Sequence, residues 1–230
     1  MTRKKVILFI VEGTSEELAL GTLIESYYQD NHRVIMKVVR GDITTRDFVQ
    51  HNNIVAKVGE LVKEEIARSR IKKTDIVKVV HLIDTDGAFI KDDRIIEELL
   101  GQPFVTYELD CIRTDRKSAI QARNEQKSRN VIRLIGTSTL LSCIPYQIMY
   151  MSSNLDHVLY DIQNLPDKEK EDKAMEFAET YMDNIDGFVD FITKSDFSIC
   201  SDYSASWKFI QKDCNSLKRY SNLGLLFSES

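Results

Sequence analysis

The chain has 230 residues, 43% hydrophobic and 29% charged, ordinary proportions for a globular protein of one domain, or one domain with a sizeable appendage. Its 9 glycines and 3 prolines exclude a linker-rich or collagen-like chain, and a chain this long buries roughly 70% of its unfolded surface without disulfide or metal staples. A formal net charge of −5 carries no global signature of nucleic-acid binding.

In chain order, Val6–Val11 is a continuous apolar run, as expected of a strand buried on both faces. Thr14 and Ser15 then offer an N-cap, and Glu17–Tyr28 reads as a helix with Leu18, Leu20, Leu23, Ile24 and Tyr27 apolar. Val34–Val39 reads as a second strand and Asp47–Arg70 as a helix. Ile76–Ile83 is a third strand, closed by the turn signal Asp-Thr-Asp-Gly. A short helix (Asp92–Leu100), a strand (Phe104–Cys111), a basic helix from Asp115 to about Leu141, a strand (Tyr146–Met151) and a helix opening at Asn154 follow. Lys168–Ile192 is helical and acidic, and the remainder, with Trp207, Phe209 and Leu217, reads as a small helical appendage with a loose tail. Alternating strands and helices imply right-handed βαβ units and a mainly parallel sheet flanked by helices. The expected organisation is an α/β domain over 1–165 and a helical C-terminal extension over 166–230.

The longest apolar runs fall short of the about 20 residues a spanning helix needs, so no membrane segment is expected. The N-terminus lacks a small-residue cleavage site and reads as strand rather than signal peptide. Cys111, Cys143, Cys200 and Cys214 form no CxxC pair, and His32, His51, His81 and His157 are equally scattered, which excludes zinc-site spacing. Reduced cysteines in a cytoplasmic protein are expected. His81, inside a strand, and Trp207 read as core residues.

Charge is uneven along the chain. Residues 113–133 hold Arg113, Arg116, Lys117, Arg123, Lys127, Arg129 and Arg133 against Asp115 and Glu125, whereas residues 156–190 hold eleven acids against three lysines. The basic stretch suits a phosphate backbone, and a solvated helix face explains it almost as well.

Acids stand where ligands bind in a parallel sheet, at the carboxyl ends of strands. Glu12 follows the first strand and Glu16 lies four residues on. Asp84 and Asp86 follow the third strand, two apart, so both face one way in extended chain. Asp156 follows the late strand. Such carboxylates repel one another unless a cation joins them, and an all-oxygen set selects Mg²⁺ or Mn²⁺. Each acid also has a plainer reading. Glu16 complements a helix N-terminus, and Asp156 caps a helix.

Phe-Ile-Val-Glu-Gly-Thr-Ser-Glu-Glu (9–17) together with His-Leu-Ile-Asp-Thr-Asp-Gly (81–87) resembles a Toprim domain. Within that fold, Glu12 with Glu16 and a later acid resembles the OLD-family and RloB-like stand-alone Toprim proteins of bacteria and phages. The resemblance spans about residues 5–165. It implies a metal-dependent nuclease of anti-phage defence that cuts DNA or structured RNA with one or two ions. Glu12, Asp84 and Asp86 would hold metal, and Glu16 and Asp156 would complete a second site or act as base. A late lysine, Lys208 or Lys218, would stabilise charge. Arg113, Arg116, Lys117, Arg123 and Lys127 would contact nucleic acid. At the fourth position Asp156 departs from the Glu usual there.

Two further readings stay open. One is a silent or partner-dependent module working with a separately encoded ATPase, and a homodimer is compatible with either. The other is a metal-dependent phosphatase. Asp-Thr-Asp-Gly resembles the Asp-x-Asp-Gly-Thr of haloacid-dehalogenase phosphatases, but Ala88 replaces the Thr and the first strand does not carry the motif. Gly13-Thr14-Ser15 is no Walker loop, since no Gly-Lys-Ser/Thr follows, and nucleotide binding is not expected.

Overall fold

A computed structural model describes residues 4–227. The chain forms two compact units interleaved in sequence. The first takes segments up to Ile83, Arg129–Met149 and Glu171–Phe188. The second takes Asp84–Ser128, Tyr150–Lys170 and the segment from Val189. The loose tail expected at the end of the chain falls on 228–230, outside the described residues.

The first unit is built on a mostly parallel, mixed five-stranded sheet. Its strands are β1 (Lys5–Val11), β2 (His32–Val38), β3 (Ile76–Asp84), β7 (Thr139–Leu140) and β8 (Ile144–Met151), in the order β2-β1-β3-β8-β7. β1 runs parallel to β2 (Leu8 beside Ile35) and to β3 (Ile10 beside His81), and β7 turns back antiparallel on β8. Six consecutive residues of β1, Val6 to Val11, are buried, as a strand covered on both faces requires. His81 is 1% exposed and its Nδ1 lies 2.9 Å from the Tyr146 hydroxyl, a satisfied core pair.

Helix α1 (Thr14–Tyr28) is capped by Gly13 rather than Thr14 or Ser15. Helix α2 (Ile54–Ser69) starts seven residues later than the periodicity of 47–70 suggests. In between, Phe48 takes φ +63°, and the Asn53 side chain donates to the Phe48 carbonyl at 2.8 Å and accepts the Gln50 N–H at 2.8 Å. This side-chain-closed turn competes successfully with the helix ladder.

The second unit carries a small sheet that corrects two expectations. In place of a helix over 92–100, a single 3₁₀ turn (Asp92–Arg94) leads into β4 (Ile95–Glu97). In place of one strand over 104–111, β5 (Val105–Tyr107) and β6 (Ile112–Thr114) form an antiparallel pair, with β4 parallel to β6. The cause is burial across the sheet: Ile95 and Ile112 join Ile90, Ile120 and Leu217 in one apolar cluster, worth more than local helix propensity.

Helix α3 (Lys117–Ile135) stops at Gly136, short of Leu141. Helix α4 (Leu155–Tyr160) is capped by the Asn154 side chain. The acidic stretch is two helices, α5 (Asp167–Tyr181) and α6 (Ile185–Lys194), with a break at Asn184, whose Oδ1 accepts the Gly187 N–H at 2.9 Å. Helix α7 (Tyr203–Ile210) places Trp207, 1% exposed, edge-on to Tyr150 with centroids 4.9 Å apart. Among the described residues no helix is long and apolar enough to cross a membrane.

Candidate functional site

β1 and β3 are parallel neighbours, so their carboxyl ends share one edge of the first unit's sheet. Glu12 follows β1 there. Its carbonyl accepts the Gly41 N–H at 2.8 Å, beside the Val39-to-Val11 bond at 2.9 Å, so the backbone of this turn is tied to the chain leaving β2. Glu16 is buried, and its Oε2 accepts the Gly13 N–H at 3.0 Å. That bond satisfies an otherwise orphaned donor at the helix start, the plainer of the two roles foreseen for Glu16.

In the second unit, the turn after β3 is held by a buried threonine. The Thr85 N–H donates to the Met151 carbonyl (2.9 Å), and its hydroxyl donates to the Ser216 carbonyl (2.7 Å) while accepting the Ser153 N–H (2.8 Å). The Asp86 N–H donates to the Ser153 carbonyl at 2.8 Å. Asp86 and Gly87 then both take positive φ, +49° and +67°. A Cβ on Gly87 would lie 2.6 Å from Leu217 Cδ2, so only glycine fits.

One face of α3 grips this turn. Arg123 Nη2 donates to the Asp86 carbonyl (2.8 Å) and Nη1 to the Tyr107 hydroxyl (2.7 Å), and the Asn124 amide reaches the Gly87 carbonyl (3.3 Å). The Lys127 ammonium sits 2.5 Å from Asp86 Oδ2, with its side chain 0% exposed against 25% for Asp86. Lys127 therefore has no surface to offer a phosphate backbone, and Arg123 is half-buried and committed to the turn. Lys127, expected on the nucleic-acid face, is corrected: it is the turn's internal counter-charge, while Arg123 braces the turn's backbone. Burial pushes the Tyr107 hydroxyl up, with the Asp86 charge adding to the shift and Arg123 opposing it, so Tyr107 stays protonated.

A lysine that the sequence reading passed over completes the acidic region. Lys170 Nζ lies 2.8 Å from Asp167 Oδ1 and 3.9 Å from Asp156 Oδ2. Burial works against its charge, yet the bond to Asp167 and the charges of Asp156, Asp167 and Asp84 hold its pKa above the ordinary value. The charges of Asp84, Asp156 and Asp167 thus all act on the Lys170 ammonium. The donors are all oxygen, the chemistry that suits a hard divalent ion, and the Asp156 side chain is only 5% exposed. Asp86, already neutralised by Lys127, fits a metal less well. The only signal for Lys170 in the sequence was its rarity among acids.

The remaining predicted residues lie elsewhere. Arg113 binds Glu108 (2.7 Å), Arg116 is exposed beside Asp115, and Lys117 is half-buried at the start of α3. Lys208 is exposed on α7, and Lys218 lines a separate cleft. A further group of potential ligands, Glu108, Asp110 and Cys111, has its donor atoms within 4.8 Å of one another, close enough to hold one ion. There the Cys111 thiol donates to Glu108 at 3.2 Å. Burial, with the Glu108 bond, pushes the thiol up to about 11. A cation would have to displace that proton and compete with Arg113.

Comparison with known protein families, characterised proteins and solved structures finds no match for this chain.

Proposed function

We propose that the chain is a metal-dependent nuclease on a Toprim-like α/β domain, hydrolysing phosphodiesters of DNA or structured RNA. The observation that carries this reading is the gathering of Asp84 and Asp156 around Lys170. The donors gathered there are carboxylate oxygens, one of them on a buried side chain, a set that favours Mg²⁺ or Mn²⁺. Asp84 and Asp156 would hold the ion. When bound, the ion supplies charge neutralisation on a phosphate oxygen and an activated water.

The chain's own groups divide the remaining work. Lys170, rather than Lys208 or Lys218, is the cation placed to offset charge developing on a phosphoryl oxygen. Lys127 and Arg123 hold the Asp84–Gly87 turn in its strained form. The resemblance to stand-alone Toprim proteins extends the reading to a cytoplasmic anti-phage nuclease with nucleic acid as partner, active alone or with a separately encoded ATPase.

The test is cleavage of plasmid DNA and of total tRNA with Mn²⁺ by wild type, Asp84→Asn, Asp156→Asn and Lys170→Ala. The expected result is cleavage that EDTA abolishes and that all three substitutions reduce at least about 100-fold, near 2.7 kcal/mol of transition-state stabilisation. Folded wild-type protein that cleaves neither polymer, alone or with added ATPase, would overturn it.

A further inference from the structure

A cleft of about 690 Å³ opens in the second unit, lined by residues from four separate segments. Small-molecule sites run roughly 300–1,000 Å³. Among its lining residues are His157, Phe191, Asp196, Lys218, Arg219 and Tyr220. His157 follows Asp156 on α4, and successive helical residues project about 100° apart. The helix thus separates the acid beside Lys170 from the imidazole in the cleft.

The imidazole is the unusual group. His157 is 4% exposed, and its Nδ1 is buried with no hydrogen-bond partner among the described residues. A buried ring nitrogen left unsatisfied is costly to the fold. An imidazole offers two ring nitrogens for hydrogen bonding.

Around it stand complementary groups. Arg219 is fixed from several directions: its Nε donates to the Val158 carbonyl (3.0 Å), its Nη1 lies 3.4 Å from Asp161, and its guanidinium sits 4.8 Å from the Phe197 ring centroid. Lys218, next in the chain, makes no ion pair among the described residues and is half-buried. Phe191 and Tyr220 are half-buried aromatic walls. Asp196 is an exposed carboxylate at the same cleft.

We infer that this cleft is a mononucleotide site, with the phosphate on Lys218 and Arg219, the base against Phe191 and Tyr220 with His157 at its edge, and Asp196 accepting a sugar hydroxyl. Adjacent cations select a phosphate, aromatic walls select a planar ring, and the imidazole selects a hydrogen-bonding edge. Two carboxylates in the lining, Asp161 and Asp196, disfavour a polyanionic strand. The missing Walker loop excludes only a backbone phosphate cradle. Here side chains far apart in sequence do the holding.

The inference stands apart from the nuclease reading, and the test separates them. Binding of AMP, GMP, CMP and UMP to the full chain is measured by calorimetry in EDTA, with inorganic phosphate and the free nucleosides alongside. At least one nucleotide is expected to saturate with Kd below about 1 mM, and Lys218→Ala to weaken it at least about tenfold. Asp84→Asn should bind like wild type. In the wild-type NMR spectrum the nucleotide should shift the His157 ring signals and leave those of exposed His51 in place. Any of three results would overturn the inference: no saturation by folded wild type up to about 10 mM, inorganic phosphate binding as tightly as nucleotide, or binding lost in Asp84→Asn and kept in Lys218→Ala.

Discussion

Two turns in this protein read alike in sequence: Glu12–Gly13 after β1 and Asp84–Gly87 after β3, each an acid at the end of a buried strand followed by glycine. They are held by different physics. The first is closed by near neighbours, with Glu16 accepting the Gly13 N–H three residues away and the chain after β2 supplying two backbone bonds. The second depends on groups 41 to 131 residues distant, namely Lys127 on Asp86 and the Ser216 carbonyl on Thr85. It also stores positive φ at Asp86 and Gly87, a cost that persists only where surroundings over-determine the backbone. A locally capped turn tolerates change. A turn held from a distance transmits change to whatever its side chains do.

The largest expected effect separates chemistry from scaffold at the second turn. Asp84→Asn should lower cleavage at least about 100-fold while moving the melting temperature by less than about 2 °C, followed by circular dichroism. A large fall in melting temperature would make Asp84 part of the scaffold, like its neighbour. Asp86→Asn should behave in the opposite sense. It removes the carboxylate 2.5 Å from the fully buried Lys127 ammonium, and breaking a buried pair costs about 3–5 kcal/mol. At about 2–4 °C per kcal/mol for a chain of this size, the midpoint should fall by roughly 6–20 °C. Adding Lys127→Met should restore more than half of the loss, because replacing both members of a buried pair costs less than removing one. A double variant no more stable than Asp86→Asn would break this account of the turn.

Gly87→Ala combines a left-handed φ with a Cβ 2.6 Å from Leu217, and urea unfolding should show about 2 kcal/mol of destabilisation. The smallest effects belong to the first turn. Glu16→Ala removes the cap and should cost about 1 kcal/mol. Glu16→Gln keeps an oxygen for the Gly13 N–H and should cost under about 0.5 kcal/mol. Cleavage lost in Glu16→Gln at full stability would show that the carboxylate does more than cap.

Much of the scaffold was legible. The apolar runs of β1 and β3 are buried on both faces, and that burial leaves the same mark in sequence as in space. The alternation of those runs with amphipathic helices implied the parallel sheet that forms. The acids after β1 and β3 were legible because strand ends and glycines are local signals. The small sheet was missed because β4, β5 and β6 are three residues each, too short to show a period, and Ile95 gains its burial from Ile112 and Leu217, far along the chain. Lys127 was read as a surface base because a helix face of Arg and Lys looks solvated until something acidic is packed against it.

Sequence alone determined the α/β class, the mainly parallel character of the sheet and the placing of Glu12 and Asp84 at strand ends, because periodicity and turn chemistry act over a few residues. Tertiary structure alone decided which charge meets which: Lys127 with Asp86, Lys170 with Asp156 and Asp167, and it buried the His157 Nδ1 with no hydrogen-bond partner among the described residues. Side-chain charges act through space over a few ångströms, and only the folded chain sets which of them come that close.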